Sequence, residues 1–138
     1  MNIFFLDNTN SEQEDLEDED FILGDSFSHP NTGKFLYVHQ TSSQRRLLQK
    51  YGQEITLMDA TYRTTQYSLP LYFICVPTNV NYVTVATFIV ESEDTQSLVE
   101  ALTIIKGWNE EWDPSIFMCD YADEEINSLE TVFPGNYL

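Results

Sequence analysis

Basic residues are scarce in this chain: six lysines and arginines stand against 23 aspartates and glutamates over 138 residues. The formal charge of −17 repels polyanions, so non-specific nucleic-acid binding by the chain alone is not expected. Cysteine is nearly absent. Cys75 and Cys119 each sit inside an apolar run and read as small buried hydrophobes, which argues against a disulfide framework or a zinc site. His29 and His39 have no Cys or His partners at zinc-ligand spacing and read as bystanders. No apolar run approaches the ~18 residues of a membrane span. The N-terminus lacks the basic-then-apolar pattern of a secretory signal. The chain therefore reads as intracellular and soluble. Neither G-x-S-x-G nor a phosphate-binding glycine loop occurs, which removes the commonest serine-hydrolase and nucleotide-binding signatures.

What is present is enough for one domain, since 42% of the residues are hydrophobic and can build a core at this length. Residues 1–33 stand apart. After a short apolar stretch they become acidic and aperiodic, and the segment 7–25 holds Asp7, Glu12, Glu14, Asp15, Glu17, Asp18, Glu19, Asp20 and Asp25 without one lysine or arginine. Such a composition predicts a solvated, disordered tail.

Order is expected from Lys34 onward, with a short strand at 35–38. A helix follows over 41–51, opened by Thr41 and Gln44 as a capping box and closed by Gly52. Arg45, Arg46 and Lys50 lie on it and read as a solvated face. Three runs rich in Ile, Val, Thr, Tyr and Phe come next, at 54–64, 69–76 and 82–91, the last two joined by a hairpin loop at 77–81. The period then becomes helical, with Leu98, Leu102 and Ile105 on one face, Ala101 and Ile104 beside it, and Lys106 and Gly107 as the stop. This helix can carry a crossover to a fourth strand at 115–119, parallel to the strand at 54–64. A last helix is expected over 123–133, with Asp123 as the better-placed cap and Pro134-Gly135 as the stop. Trp108 and Trp112, with Tyr62, Tyr67 and Tyr72, could stack on bases, but packing in the core or on the sheet is the simpler assignment.

Two aspartates sharpen this outline. Asp59 continues the row Ile55, Leu57 on one side of its strand, and Asp120 continues the row Ile116, Met118 on another. Each is an acid at the exit of an apolar strand, and the carboxyl ends of neighbouring strands are where α/β sheets gather ligands. Two such carboxylates repel each other unless a divalent cation lies between them, and Mg2+, with its preference for hard oxygen ligands, suits the pair. The alternatives are local: Asp59 bonding to Thr61 or turn amides, and Asp120 satisfying amides of the last helix.

The segment Leu36-Tyr37-Val38-His39-Gln40-Thr41 with Gln44-Arg45-Arg46-Leu47-Leu48, then Leu57-Met58-Asp59-Ala60-Thr61-Tyr62-Arg63-Thr64, resembles the start of the transposase domain of Mutator-like elements. It is also similar to the related ribonuclease H-like domain of SWIM-type zinc-finger proteins. Thr87-Phe88-Ile89-Val90, Met118-Cys119-Asp120-Tyr121, Glu124-Glu125-Ile126 and Phe133-Pro134-Gly135 continue the match, which covers roughly 35–135. The resemblance implies an α/β, ribonuclease H-like mixed sheet of order βββαβα, cut short before its fifth strand. It also implies that Asp59 and Asp120 are two of three acids binding Mg2+ for DNA strand cleavage and transfer in the nucleus.

The third acid, a glutamate, lies far downstream in that family, beyond a Cys/His motif. Glu124 and Glu125 fall within a turn or so of Asp120 and could approach it, but they do not correspond to that glutamate. A truncated gene model, a decayed element and a retained short product all fit. The chain is expected to be inactive alone, with weak or absent DNA binding. Alternatively, it is a non-catalytic domain whose open sheet edge recruits a protein partner.

Overall fold

The capping box, the strand alternation and the helical spacing all operate locally, and together they give a sheet backed by helices. In the computed structural model, which describes residues 34–61 and 69–135, Thr41 Oγ1 accepts from the Gln44 N–H at 3.2 Å. Gln44 Oε1 accepts from the Thr41 N–H at 2.9 Å. This reciprocal pair opens α1 (Ser42–Tyr51), which follows β1 (Leu36–His39). The expected acidic tail at 1–33 lies outside the described residues, as does the end of the 54–64 run past Thr61.

Three strands follow, β2 (Ile55–Thr61), β3 (Leu71–Pro77) and β4 (Tyr82–Val90). Their pairing is antiparallel, Met58 against Ile74 and Tyr72 against Phe88, and the Tyr72 and Phe88 rings stack with centroids 4.8 Å apart. Helix α2 (Thr95–Trp108) then crosses to β5 (Ile116–Met118), which pairs parallel with β2, and α3 (Asp123–Val132) follows. The strand order is β1-β4-β3-β2-β5. The α/β mixed sheet with β2 beside β5 is the expected ribonuclease H-like arrangement. The strand near 35–38, which the order βββαβα leaves out, pairs antiparallel with β4 and forms the edge opposite β5.

The core is a single apolar cluster. Leu98, Ala101, Leu102 and Ile105 of α2 are fully buried, as their spacing predicts, against Val38, Ile74, Phe88 and Val90 of the sheet. Within it a knot of aromatic rings, Trp112, Phe117 and Phe133, has centroids 4.8 to 5.7 Å apart and ties the loop after α2, β5 and the end of α3 together. Trp112 also donates from Nε1 to Thr56 Oγ1 at 3.3 Å. Trp112 and Tyr72 are therefore core residues, while Tyr62 and Tyr67 lie outside the described residues.

Two boundaries differ from expectation. Helix α2 does not stop at Lys106 and Gly107 but runs on to Trp108. Its end is set by Asn109, whose N–H donates to Ile105 O and whose Nδ2 donates both to Ile105 O and, at 2.8 Å, to Gln40 Oε1. That tertiary anchor outweighs the weak helix preference of glycine. Asp123 is not the cap of α3. Ala122 takes the N-cap position with no side-chain bond, and Asp123 lies in the first turn, where its charge faces the positive end of the helix dipole.

Candidate functional site

Strands β2, β4 and β5 run the same way, so their carboxyl ends share one edge of the sheet. The parallel ladder pairs Ile55 with Ile116, Thr56 with Phe117 and Leu57 with Met118. Two residues further along each chain stand Asp59 and Asp120. The same alternation that buries Thr56 and Met58, and Phe117 on the partner strand, sends both aspartates the other way, and both are exposed. They line one shallow cleft with Leu57, Met58, Met118 and Cys119. The structure thus brings together the two acids that the sequence singles out.

Water reaches both aspartates, so little desolvation has to be offset at either carboxylate. Asp59 Oδ1 accepts from the N–H of Ala60 at 2.9 Å, a local bond that leaves its other oxygen to the cleft. At Asp120 the main chain turns, its carbonyl accepting from the Ala122 N–H at 2.8 Å just before α3 begins.

The third acid at this edge is Glu125, in the first turn of α3. Its neighbours Asp123 and Glu124 are exposed, but Glu125 is only 4% exposed. Its Oε1 is buried with no hydrogen-bond partner among the described residues. Burial pushes the Glu125 carboxyl up to about 7, and the negative charge of Asp120 adds to the rise. A hydrogen bond from the Asp120 main chain works the other way, and Asp59 and Glu93 raise it further. Sequence spacing brings Glu125 near Asp120 and sets it four residues before Leu129 and eight before Phe133, on one helix face that Glu124 does not share. The docking of α3 through Leu129 and Phe133 buries that face and leaves Glu124 outside.

The remaining candidates are placed elsewhere. His39 is buried, its Nδ1 3.4 Å from the Tyr37 hydroxyl, away from the acids; His29 lies outside the described residues. Burial, then the charges of Glu125 and Asp120, pushes the Cys119 thiol up to about 11, so it stays protonated and unreactive near neutral pH. Arg45, Arg46 and Lys50 are exposed on α1, with Arg46 bonded to Ser43 and Lys50 over the Tyr51 ring.

Two exposed carboxylates on adjacent strand ends offer hard oxygens suited to Mg2+. Among the described residues no three His, Cys, Asp or Glu side chains close around one point as a complete metal cage. Nor, among the described residues, is any helix long and apolar enough to cross a membrane.

No curated protein and no solved structure matches the chain. A family model does, over residues 28–137, a span that includes both aspartates, Glu125 and every described element. The chain belongs to the family described as the RNaseH-like domain of zinc finger SWIM domain-containing protein 1/3.

Proposed function

We propose that this chain is a transposase-derived ribonuclease H-like domain in which Asp59 and Asp120 are the remnant of a Mg2+ site for DNA strand cleavage and transfer, with no strand-transfer activity of its own. The observation that carries the reading is the parallel β2–β5 pairing, which sets the two aspartates side by side in one cleft at the carboxyl edge of the sheet. Asp59 and Asp120 would hold the ion. In sites of this chemistry the metal activates an attacking oxygen and stabilises a leaving one. The protein supplies two carboxylates, Asp59 on β2 and Asp120 just past β5, a water-accessible cleft and a field that favours cations. The same field works against DNA, because the formal charge is −17 and the bases of α1 lie on a separate element. With two carboxylates and retained water, the expected Mg2+ affinity is roughly millimolar.

The test uses plasmid nicking and oligonucleotide strand transfer with the chain in millimolar Mg2+. No cleavage is expected. Cleavage that required Mg2+ and vanished in Asp59→Asn would overturn the inactivity and leave the site. A thermal melt completes it: the midpoint should rise with Mg2+ by mass action. The rise should shrink in Asp59→Asn and Asp120→Asn, and equal responses in all three proteins would remove the site.

A second reading is favoured by the outer edge of β5. This strand has only three residues and, among the described residues, pairs with β2 alone, and Ile116 and Met118 are exposed beside a 95% exposed Tyr121. An open apolar edge recruits added strands. In this reading the domain binds a protein partner there. A lone monomer by size exclusion, with no partner recovered in pull-downs, would count against it.

A further inference from the structure

The two edges of the sheet differ. Strand β1 closes one edge with side chains that are buried or half-buried, whereas at the other edge Ile116 and Met118 of β5 are 39% and 43% exposed. Five large hydrophobic side chains are exposed among the described residues, and three of them, Ile116, Met118 and Tyr121, lie on or just past β5. Open edges are ordinarily blunted by a charged residue or a proline in the strand itself, and β5 has neither. Ile116 donates its N–H to Glu54 O at 2.9 Å, on the β2 side. Backbone groups alternate sides along a strand, so the N–H and C=O of Phe117 point to the outer edge. Beside that edge lies a cleft of about 120 Å³ between β5 and α3, whose walls include Phe117, Met118, Ile126 and Leu129 and no residue of β2. An added strand meets backbone partners there and an apolar slot for one aliphatic side chain.

Charge selects what that strand carries. From Gly107 to Gly135 the chain holds eight acids and neither lysine nor arginine, and six of the eight are exposed. Asp113 stands three residues before β5 and Asp120 two after it, so acids flank the edge at both ends. A second copy of this chain would bring the same acids and another formal −17 against them, which opposes self-pairing. Opposite charges facing each other across a strand pair are favourable and like charges are not. We propose that the outer edge of β5 adds an extended segment of a partner protein in which lysine or arginine alternates with aliphatic residues. An aliphatic side chain of that segment enters the cleft between β5 and α3. Ile116 and Met118 point to the opposite side of the sheet from Phe117, where the apolar stems of the basic residues cover them while the charged heads stay in water near the acids. The inference rests on the second reading of the function, that β5 takes a strand, and adds the chemistry of the strand it takes.

The experiment titrates the full chain into labelled peptides and follows fluorescence anisotropy, in about 0.15 M KCl to screen the diffuse charge. The probe alternates lysine with valine. Its controls are the same peptide with a central proline, which keeps the charge but cannot pair, and peptides with serine or glutamate in place of lysine. The lysine–valine peptide should bind and should slow hydrogen exchange at the Phe117 N–H. The proline form should bind about tenfold more weakly or worse, and the glutamate form should not bind. Ile116→Lys should weaken the lysine–valine peptide by a similar factor, whereas Tyr82→Lys, which adds the same charge at the hairpin between β3 and β4, should leave it unchanged. Equal binding of the lysine–valine and proline peptides would reduce the effect to overall charge and overturn the proposal. Proline-sensitive binding of the serine peptide as tight as that of the lysine peptide would keep the β5 edge as a strand acceptor and overturn its preference for a basic partner. No binding by any of the peptides would overturn the edge reading and this inference together. A dimer of the chain alone by size exclusion, lost in Ile116→Lys, would make the occupant a second copy and overturn the basic partner.

Discussion

With its carboxyl pushed up to about 7 by burial and by the Asp120 charge, Glu125 stays protonated in the folded protein over a range in which an unfolded glutamate, near 4.5, is already ionised. Folding therefore takes up a proton between these two values, and stability falls as pH rises through that window. Ionising a group shifted this far costs on the order of 3 kcal/mol above neutrality. Asp94 has the opposite sign. Burial pushes it upward, but hydrogen bonds from Ser92, from Ser97 and from Lys34, at 2.9 Å, outweigh that and hold it well below the usual carboxylate range. Its contribution is present above the unfolded value and is lost only in strong acid. In chelator-treated protein the melting midpoint should fall from pH 5 to pH 8. Glu125→Gln should flatten that fall and melt higher than the unaltered chain at pH 8. Parallel pH profiles for the two proteins would show that Glu125 does not titrate in this range.

Among the elements, α1 shows how a short helix is held at both ends. Thr41 and Gln44 satisfy each other's amides at its start, and Gln44 Nε2 also reaches Thr84 O on β4 at 3.3 Å. At its end Gly52 has an ordinary φ of −93°, so a left-handed conformation is not why glycine stands there. Space is the reason. A Cβ on residue 52 would lie 2.5 Å from Leu48 Cδ1 and 2.8 Å from Leu48 O, and Leu48 is fully buried. The carbonyl already accepts from the Gly52 N–H at 2.9 Å, so it cannot retreat without losing that bond. Gly52→Ala should destabilise the protein by about 1–3 kcal/mol, the usual cost of overpacking, measured by denaturant unfolding. At Gly107 nothing lies within 4 Å of an added Cβ. There the same substitution should be neutral or stabilising by up to about 1 kcal/mol, since alanine is the better helix former. Equal destabilisation at both positions would contradict the account.

At the scale of the molecule the charge decides more than any single ion pair. A formal −17 makes the folded state repel itself, and the compact form carries this repulsion at shorter distances than the unfolded chain. Monovalent salt should therefore stabilise the protein: the melting midpoint should rise between low ionic strength and about 0.15 M KCl, where the Debye length contracts to ~8 Å. A midpoint lowered by salt would mean that attractive pairs such as Lys34–Asp94 dominate instead.

The sequence by itself determined the elements and the identity of the two aspartates. Leu98, Leu102 and Ile105 share a helix face, and Asp59 and Asp120 continue alternating rows, because side-chain direction follows from backbone period alone. The crossover through α2 also makes β2 and β5 parallel neighbours. What the tertiary structure decided depends on contacts between residues far apart in the chain. The pairing of β1 with β4 needs a partner some fifty residues away, as the register Leu36 to Val90 shows. Helix α2 outlasts Gly107 because Asn109 is tied to Gln40, 69 positions distant. The exposure of the aspartates and the burial of Glu125 follow from which sides of β5 and α3 are packed, and Glu124 and Glu125 have identical side chains one residue apart. Periodicity names the residues that can face inward; only the packed partner says which of them does.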